Sequence, residues 1–203
     1  AGKPALSLQG VLSGQFESDA ENYVTDQFAL RDHWIALKAY AERLLGKREN
    51  NGVYICSDTL IERIDEPDAD RLAANLSAVN RFAENSAVPV YFTLIPSAAE
   101  IWRDRLPAGA PRCDERALIE RLAAETKAVS IDTLSALGAH SDEALYYRTD
   151  HHWTSLGALY GAQALLNGMG LTTTLSADNA PVRVTDAFYG TLYSRSGARY
   201  IQP

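Results

Sequence analysis

The feature that most restricts the fold of this chain is a nearly continuous apolar run, VPVYFTLIP, at residues 88–96. Such a run is typical of a strand that is buried on both faces, as in a parallel sheet covered by helices. Two shorter runs of strand character, GVYIC and AVSIDT, lie at residues 52–56 and 128–133. Apolar residues recur at helical spacing between these runs. The alternation predicts an α/β fold in which helices flank a mostly parallel, flavodoxin-like sheet.

Capping residues mark where the helices begin and end. Residues 15–46 carry apolar residues at mostly helical spacing and predict an N-terminal helical segment, with Gly46 as its C-terminal stop. The N-caps predicted for later helices are Asp68 or Asp70, Ser97 in an S-x-x-E capping box, and Asp114. A further helix, rich in small residues, is predicted to begin near Ser155 and to end at Gly168 or Gly170.

Length and composition suit one globular domain over residues 1–203. Hydrophobic residues make up 46% of the chain and charged residues 22%, and a chain of this size buries about 70% of its unfolded surface. The chain begins without methionine, which is typical of a mature or trimmed form, and it stops at YIQP. We therefore expect the C-terminal part of the full-length domain to be missing from these residues.

The charge of the chain restricts its partners. A formal net charge of -7 argues against unaided binding to nucleic acid or to an anionic membrane surface, because both require clustered Lys and Arg. A neutral or cationic partner fits better. The sequence contains neither a signal peptide nor an apolar run of the roughly 18 residues that span a bilayer.

The two cysteines, Cys56 and Cys113, have no CxxC spacing and cannot form a zinc site by themselves. Two buried free thiols are the favoured interpretation. In an exported protein a disulfide between them is the alternative, which the sequence leaves open.

The segment YYRTDHHWTSLGA at residues 146–158 places Asp150 beside His151 and His152, two of the four histidines of the chain. A histidine acts as a general base near neutral pH when one ring nitrogen faces the proton to be taken and the other donates to a carboxylate. On an extended segment residues i and i+2 project to the same side, so Asp150 can orient His152 while His151 points away. A tight loop before the helix would relax this geometry, so the spacing allows the pair without requiring it.

Two other interpretations of the segment stay open. A metal site needs three or four converging ligands, but adjacent histidines on an extended chain diverge. The remaining histidines, His33 and His140, lie in no ligand-spaced motif, so the sequence predicts no metal site and no cofactor. Alternatively, Trp153 fills the core and the histidines only bind nearby carbonyls; this packing interpretation and a catalytic role are equally compatible with the segment alone.

Residues around the histidines are candidates for substrate binding. The predicted contacts are His151, Tyr147, Arg148, Trp153 and Ser97. Tyr147 and Trp153 can hold sugar rings, although aromatic residues more often belong to the core. Arg148 can bind an anionic group, or it can pair with Asp142 or Glu143, which is the favoured alternative. Because residues 96–100 and 132–140 follow predicted strands, we expect both loops to share a crevice with the histidine segment.

Five segments of the chain resemble the DHHW protein family, which is similar to the alginate O-acetylation proteins of the SGNH-hydrolase-like superfamily. The central segment, YYRTDHHWT, resembles the signature of the family, and the related acetylation proteins carry Asp-x-His-Trp at that place. The other four segments are TDQFALRDHW at residues 25–34, LLGKRENNGVYI at 44–55, VYFTLIPSAAEIW at 90–102 and FYGTLYSRSG at 188–197. Their order is that of the family.

The resemblance implies an SGNH-hydrolase-like fold, in which Asp150 is the orienting carboxylate and His152 the base. In the similar acetylation proteins the serine nucleophile lies in a later Gly-Asp-Ser or Gly-Thr-Ser motif. The serines that follow Trp153 lie in no such motif: Ser155, Ser176, Ser194 and Ser196. We therefore expect the nucleophile outside these residues. The resemblance also implies an extracytoplasmic protein, exported or membrane-anchored in its full-length form.

The sequence leaves two alternative functions, an enzyme and a non-catalytic binding module. The first is a cell-surface domain acting in acyl (acetyl) transfer or ester hydrolysis on a carbohydrate or acylated polymer, with an acyl-serine intermediate. These 203 residues alone would then be inactive. The second is a cell-envelope carbohydrate-binding or scaffold module that keeps the fold and the Asp-His pair without catalysis, because a fold does not determine a function.

Overall fold

The computed structural model describes residues 3–27, 29–176, 182 and 184–203. The chain divides into two compact units, Ala1–Lys47 and Arg48–Pro203. The first contains helices α1 (Leu8–Leu12), α2 (Gln15–Gln27) and α3 (Arg31–Leu44). The helical segment predicted at residues 15–46 is therefore interrupted. Leu30, just before α3, has a φ of 58°, in the left-handed region that a side chain disfavours and that an α-helix cannot contain. One domain over the whole chain stays a prediction.

The second unit begins with a three-stranded antiparallel sheet. Its strands are β1 (Glu49–Asn50), β2 (Val53–Ile55) and β3 (Leu60–Glu62), in that order across the sheet. Asn51 and Gly52 form the turn between the first two strands, with φ values of 50° and 74°. Positive φ at both central residues is what a two-residue hairpin turn requires, and it makes neighbouring strands antiparallel.

A single parallel strand pair lies elsewhere in this unit. β4 (Tyr91–Phe92) pairs with β5 (Val129–Ser130), with Tyr91 opposite Val129. The mostly parallel sheet predicted from the sequence is not found among the described residues: one pair is parallel and the other sheet is antiparallel. The apolar run at 88–96 is also not buried on both faces, because Val88 is 68% exposed and only two residues of the run are in the strand.

Helices of the second unit begin at polar caps. They are α4 (Ala69–Glu84), α5 (Ala98–Ile101), α6 (Glu115–Glu125), α7 (Thr133–Gly138), α8 (Ser155–Gly168) and α9 (Thr191–Ser196), with a 3-10 turn at Arg103–Arg105 after α5. Side chains of Asp68, Ser97 and Asp114 accept hydrogen bonds from the first turns of α4, α5 and α6, as predicted. Glu100 does not complete the predicted capping box, because its buried carboxylate meets Arg103, Arg112 and Arg116.

Two buried clusters hold the second unit together. One surrounds Trp102, and the other lies between the antiparallel sheet and Leu192 of α9. Cys56 and Cys113 are both free and buried, and burial, followed by nearby carboxylates, raises the pKa of each thiol to about 11. No helix in the described ranges is both long and apolar enough to cross a bilayer.

Candidate active site

The Asp-His-His segment forms a tight loop and not an extended strand. Tyr146 and Trp153 are joined by an antiparallel β-bridge, and the backbone N–H of Tyr147 donates to the carbonyl of His152 at 3.1 Å. Thr154 then caps α8, because its hydroxyl accepts from the N–H of Gly157 at 3.3 Å. The loop is therefore closed at its base and continues directly into a helix.

The carboxylate of Asp150 is surrounded by donors. Oδ1 accepts the backbone N–H of His152 at 3.1 Å and lies 2.5 Å from its Nδ1. Oδ2 accepts from the backbone N–H of Thr191 at 2.8 Å and from its hydroxyl at 3.0 Å. The side chain of Asp150 is only 4% exposed, so these hydrogen bonds replace water at both oxygens.

These contacts determine the charge of Asp150 and the tautomer of His152. Burial by itself would raise the pKa of Asp150, but the hydrogen bonds from Thr191 and His152 outweigh burial and lower the pKa below its ordinary range. The carboxylate is therefore ionised at neutral pH and only accepts hydrogen bonds. It follows that Nδ1 of a neutral His152 carries the proton and Nε2 carries the lone pair.

His152 is open to solvent on the side away from Asp150. Its side chain is 67% exposed. Within the described part of the chain, no hydrogen-bond partner contacts Nε2. A lone pair that faces an accessible space, on a ring oriented from behind by a carboxylate, is the arrangement that a general base requires.

The start of α9 packs closely against Asp150. A Cβ atom added at Gly190 would lie 2.4 Å from the Cβ of Asp150, so no side chain fits there. Thr149 fixes the same contact, because its hydroxyl donates to the carbonyl of Phe188 at 3.0 Å and accepts from the N–H of Gly190 at 3.2 Å. The sequence predicted the importance of neither Gly190 nor Thr191. The signal available was the family-like segment at 188–197, which did not indicate a role for either residue.

A cavity of about 330 Å³ adjoins His152. Four of the residues predicted from sequence line it: His151, His152, Trp153 and Ser97. The loop at 96–100 is tied to the histidine segment by the hydroxyl of Tyr146, which donates to the carbonyl of Pro96 at 2.6 Å. The rest of the lining is mainly apolar. Residues 132–140, which were expected to share this crevice, do not line the cavity, and Asp132 instead caps α7.

Two predicted substrate contacts lie outside this cavity. Tyr147 packs against Phe188, with ring centroids 5.0 Å apart. Arg148 donates through Nε to the carbonyl of Asp58 at 2.8 Å, and its guanidinium lies 3.7 Å from the carboxylate of Asp58. The expected pairing of Arg148 with Asp142 or Glu143 is therefore wrong. Both Tyr147 and Arg148 line a separate cavity of about 210 Å³.

The hydroxyl of Ser97 is already engaged. It donates to Glu115 at 2.5 Å and accepts from the backbone N–H of Ala99 at 3.1 Å. A larger groove, of about 510 Å³, lies between α4 and α6 and contains none of the residues predicted for the site. The cavity at His152 is therefore the candidate site despite its smaller volume.

The chain matches a known protein family over most of its second unit. The family described as "ALGX: SGNH hydrolase-like domain, acetyltransferase AlgX" matches residues 54–193, well over half of the chain. The chain therefore belongs to this SGNH hydrolase-like family. The matched range contains the Asp-His-His loop, the residues 96–100 and the start of α9.

Two curated relatives are both described as a probable alginate O-acetylase AlgJ. The chain is 25% identical over 166 residues to the probable alginate O-acetylase AlgJ of Pseudomonas aeruginosa, covering 76% of this chain and 42% of that protein. It is 24% identical over 168 residues to the probable alginate O-acetylase AlgJ of Pseudomonas syringae pv. tomato, covering 76% and 43%. The match thus spans less than half the length of these relatives.

Solved structures support the fold. A DHHW family protein from Eubacterium siraeum superposes with a TM-score of 0.61 at 28% identity, covering 74% of this chain and 50% of that one. The O-acetyltransferase domain of Pseudomonas putida AlgJ gives a TM-score of 0.57 at 19% identity, covering 74% and 61%, which supports the fold alone. The resemblance to the DHHW family and to the alginate O-acetylation proteins is confirmed.

Proposed function

We propose that this domain acts in acyl transfer, of an acetyl group in particular, or in ester hydrolysis on a carbohydrate. His152 is the general base and Asp150 the carboxylate that orients it. The single observation that supports the proposal best is the buried Asp150, which bonds Nδ1 of His152 while Nε2 remains open beside a cavity. The family match and the names of the AlgJ relatives support the acetyl group and the carbohydrate.

The proposed chemistry has two acyl transfers. Nε2 of His152 takes the proton of a serine hydroxyl, whose oxygen attacks the acyl carbonyl carbon of the donor. The resulting imidazolium, stabilised by Asp150, returns its proton to the departing oxygen and leaves an acyl-serine. In the second half His152 takes a proton from a sugar hydroxyl or from water, whose oxygen attacks the acyl carbonyl carbon. The bond to the serine oxygen then breaks, and the imidazolium gives its proton to that oxygen, which restores the free serine and neutral His152. His151, Trp153 and the loop of Ser97 border the space in which the acyl group and sugar bind in this scheme.

The nucleophile in this proposal comes from outside the 203 residues. Ser97, which lines the cavity, donates its hydroxyl proton to Glu115 and so is not available to His152. Ser196 is fully buried, with its hydroxyl directed to the carbonyl of Tyr193. Extracytoplasmic location and a carbohydrate partner belong to the same proposal, and both derive from the family resemblance.

The test compares two histidines in the full-length protein. Transfer of acetyl from an activated aryl acetate to an oligosaccharide is measured for the parent protein, His152→Ala and His140→Ala. We expect His152→Ala to lower turnover by at least about 10³-fold, because losing one triad member removes most of the triad's contribution. His140→Ala serves as the control and should change turnover little, since His140 lies outside the cavity.

Three outcomes would contradict parts of this proposal. Equal turnover in His152→Ala and the parent would remove His152 from the mechanism. Robust hydrolysis by the 203-residue chain, abolished by His152→Ala, would show that one of its own serines is the nucleophile. No transfer by the full-length protein with several acyl donors, together with measurable oligosaccharide binding, would favour the binding or scaffold module.

A further inference from the structure

We propose that Asp150, His151 and His152 form a binding site for Zn²⁺ at the edge of the His152 cavity. One donor atom from each residue lies within 4.8 Å of the other two. The two imidazole rings are 4.0 Å apart between centroids and tilted by 35°. The sequence expectation that adjacent histidines diverge assumed an extended chain, whereas these residues lie in a loop closed by the bridge between Tyr146 and Trp153, and the two rings lie side by side.

The donor set suits zinc. Two imidazole nitrogens and one carboxylate oxygen, with a fourth position open to water, are a known three-residue zinc arrangement. Asp150 is held in place by Thr191, and an outer partner of this kind normally orients a metal ligand. The side chains of His151 and His152 are 39% and 67% exposed, so each can rotate toward an ion without displacing core atoms.

The local charge also favours a cation. Among the described residues that line the cavity there is no lysine or arginine. The acidic residue there, Glu62, lies 2.5 Å from Arg195 and is therefore neutralised. The nearest basic residue along the chain, Arg148, is turned toward Asp58. An ion bound by Asp150, His151 and His152 would meet the ionised carboxylate of Asp150 without a competing positive charge on the cavity wall.

Zinc binding has a consequence for activity that rests on the proposed function. An ion bound by Asp150 and His152 replaces the hydrogen bond that orients His152 as a base. Zinc should therefore inhibit acyl transfer reversibly, with activity restored by a chelator. The binding itself does not depend on any catalytic role.

The direct test is titration of the protein, free of any polyhistidine tag, with zinc chloride in competition with a chromophoric chelator. We expect one zinc ion per chain. His151→Gln keeps a group that can hydrogen-bond Thr191 but removes a zinc ligand, so the affinity should fall at least roughly tenfold. His151→Cys supplies a different zinc ligand and should retain binding. Mg²⁺ should not compete, because it prefers oxygen ligands in octahedral geometry.

The control is His140→Gln. His140 also lies beside a carboxylate, with Nδ1 2.6 Å from Glu143. That pair offers only two donors, so His140→Gln should leave the zinc affinity unchanged. Absence of zinc binding, or equal affinity in the parent protein and His151→Gln, would overturn the proposal. A loss in His140→Gln equal to that in His151→Gln would also overturn it.

A second measurement separates the two proposals. Acetyl transfer by the full-length protein is followed with zinc and after chelation. Transfer that is unchanged at saturating zinc would overturn the inhibitory role. Zinc binding by Asp150, His151 and His152 in a protein without any transfer activity would support the metal site and contradict the proposed function.

Discussion

Among the described residues of the second unit, two histidines hydrogen-bond a carboxylate through Nδ1, and the two carboxylates differ in their burial and in their other hydrogen bonds. Nδ1 of His152 is 2.5 Å from Asp150, and Nδ1 of His140 is 2.6 Å from Glu143. Asp150 is 4% exposed, whereas Glu143 is 36% exposed. Asp150 accepts two further hydrogen bonds from Thr191, 41 positions along the chain.

The second difference is the position of each ring. The His140 ring stacks on Tyr160, with centroids 3.7 Å apart and planes within 8°. The hydroxyl of Tyr160 also donates to Glu143. The His152 ring borders a cavity with Nε2 open. A short distance between histidine and carboxylate is therefore common to both pairs; the buried, fully bonded carboxylate and the accessible second nitrogen, which the proposed base requires, belong to His152 alone of the two.

The largest expected effect separates the two pairs by activity. In the full-length protein Asp150→Asn should lower acetyl transfer by about 10⁴-fold, because the amide favours the wrong tautomer of His152. Glu143→Gln should change the rate little. Turnover is measured with thermal midpoints for both variants, so that a loss of fold is recognised. Equal rates in the two variants would end the distinction between the pairs.

The next effect concerns the packing behind Asp150. Gly190→Ala should destabilise the protein by about 1–3 kcal/mol and reduce acetyl transfer, because the new methyl group overlaps Asp150. Gly138→Ala is the matched control, since a Cβ there meets nothing within 4 Å. Urea unfolding of both variants measures the difference. A stability for Gly190→Ala equal to that of the parent would show that Asp150 can shift without cost.

Thr191→Val tests the hydrogen bonding of Asp150 and its dependence on pH. Loss of a hydroxyl that donates to a charged group should cost about 1.5 kcal/mol at neutral pH, while Thr172→Val, at an exposed position, should cost little. The folded pKa of Asp150 is lowered, so its stabilising contribution is complete above the unfolded pKa of about 3.9 and is lost as pH falls toward the folded pKa. The cost of Thr191→Val should therefore shrink in acid. A cost that stays constant from neutral pH down to strong acid would contradict the assignment.

The smallest effect should come from the pair of His140 and Glu143. Tyr160→Phe removes the hydroxyl that donates to Glu143 but keeps the ring that stacks on His140. Because Glu143 is accessible to water, we expect a loss of at most about 1 kcal/mol. Urea unfolding measures it, with acetyl transfer unchanged. A larger loss would show that the exposed pair is as tightly organised as that of Asp150.

Local features of this protein could be predicted from sequence because they involve neighbours along the chain. The caps Ser97 and Asp114 bond to backbone groups two and three residues away. The i, i+2 spacing of Asp150 and His152 brought both side chains into one loop, where they are hydrogen-bonded. The sequence also carried the family resemblance, through motifs whose order is the same as in the DHHW family.

The sheet shows where local reasoning failed. The apolar run at 88–96 has the composition of a buried strand, yet only Tyr91–Phe92 is paired. Apolar composition reports a tendency to be buried, but strand direction depends on the connections. The Asn51-Gly52 turn makes β1 and β2 antiparallel, and the parallel pair β4–β5 is joined through α5 and α6.

What the sequence by itself determined is therefore the spacing that lets Asp150 bond His152, the helix caps and the family. Only the tertiary structure decided the surroundings of Asp150. Thr191 and Gly190 meet it from about 40 positions away, and Arg148 turns to Asp58, 90 positions distant, instead of to nearby acids. Such contacts follow from how helices and strands pack, which no local period or spacing records. The same packing placed His151 beside His152, and so brought together the three donor residues that we propose as a zinc site and that the sequence argued against.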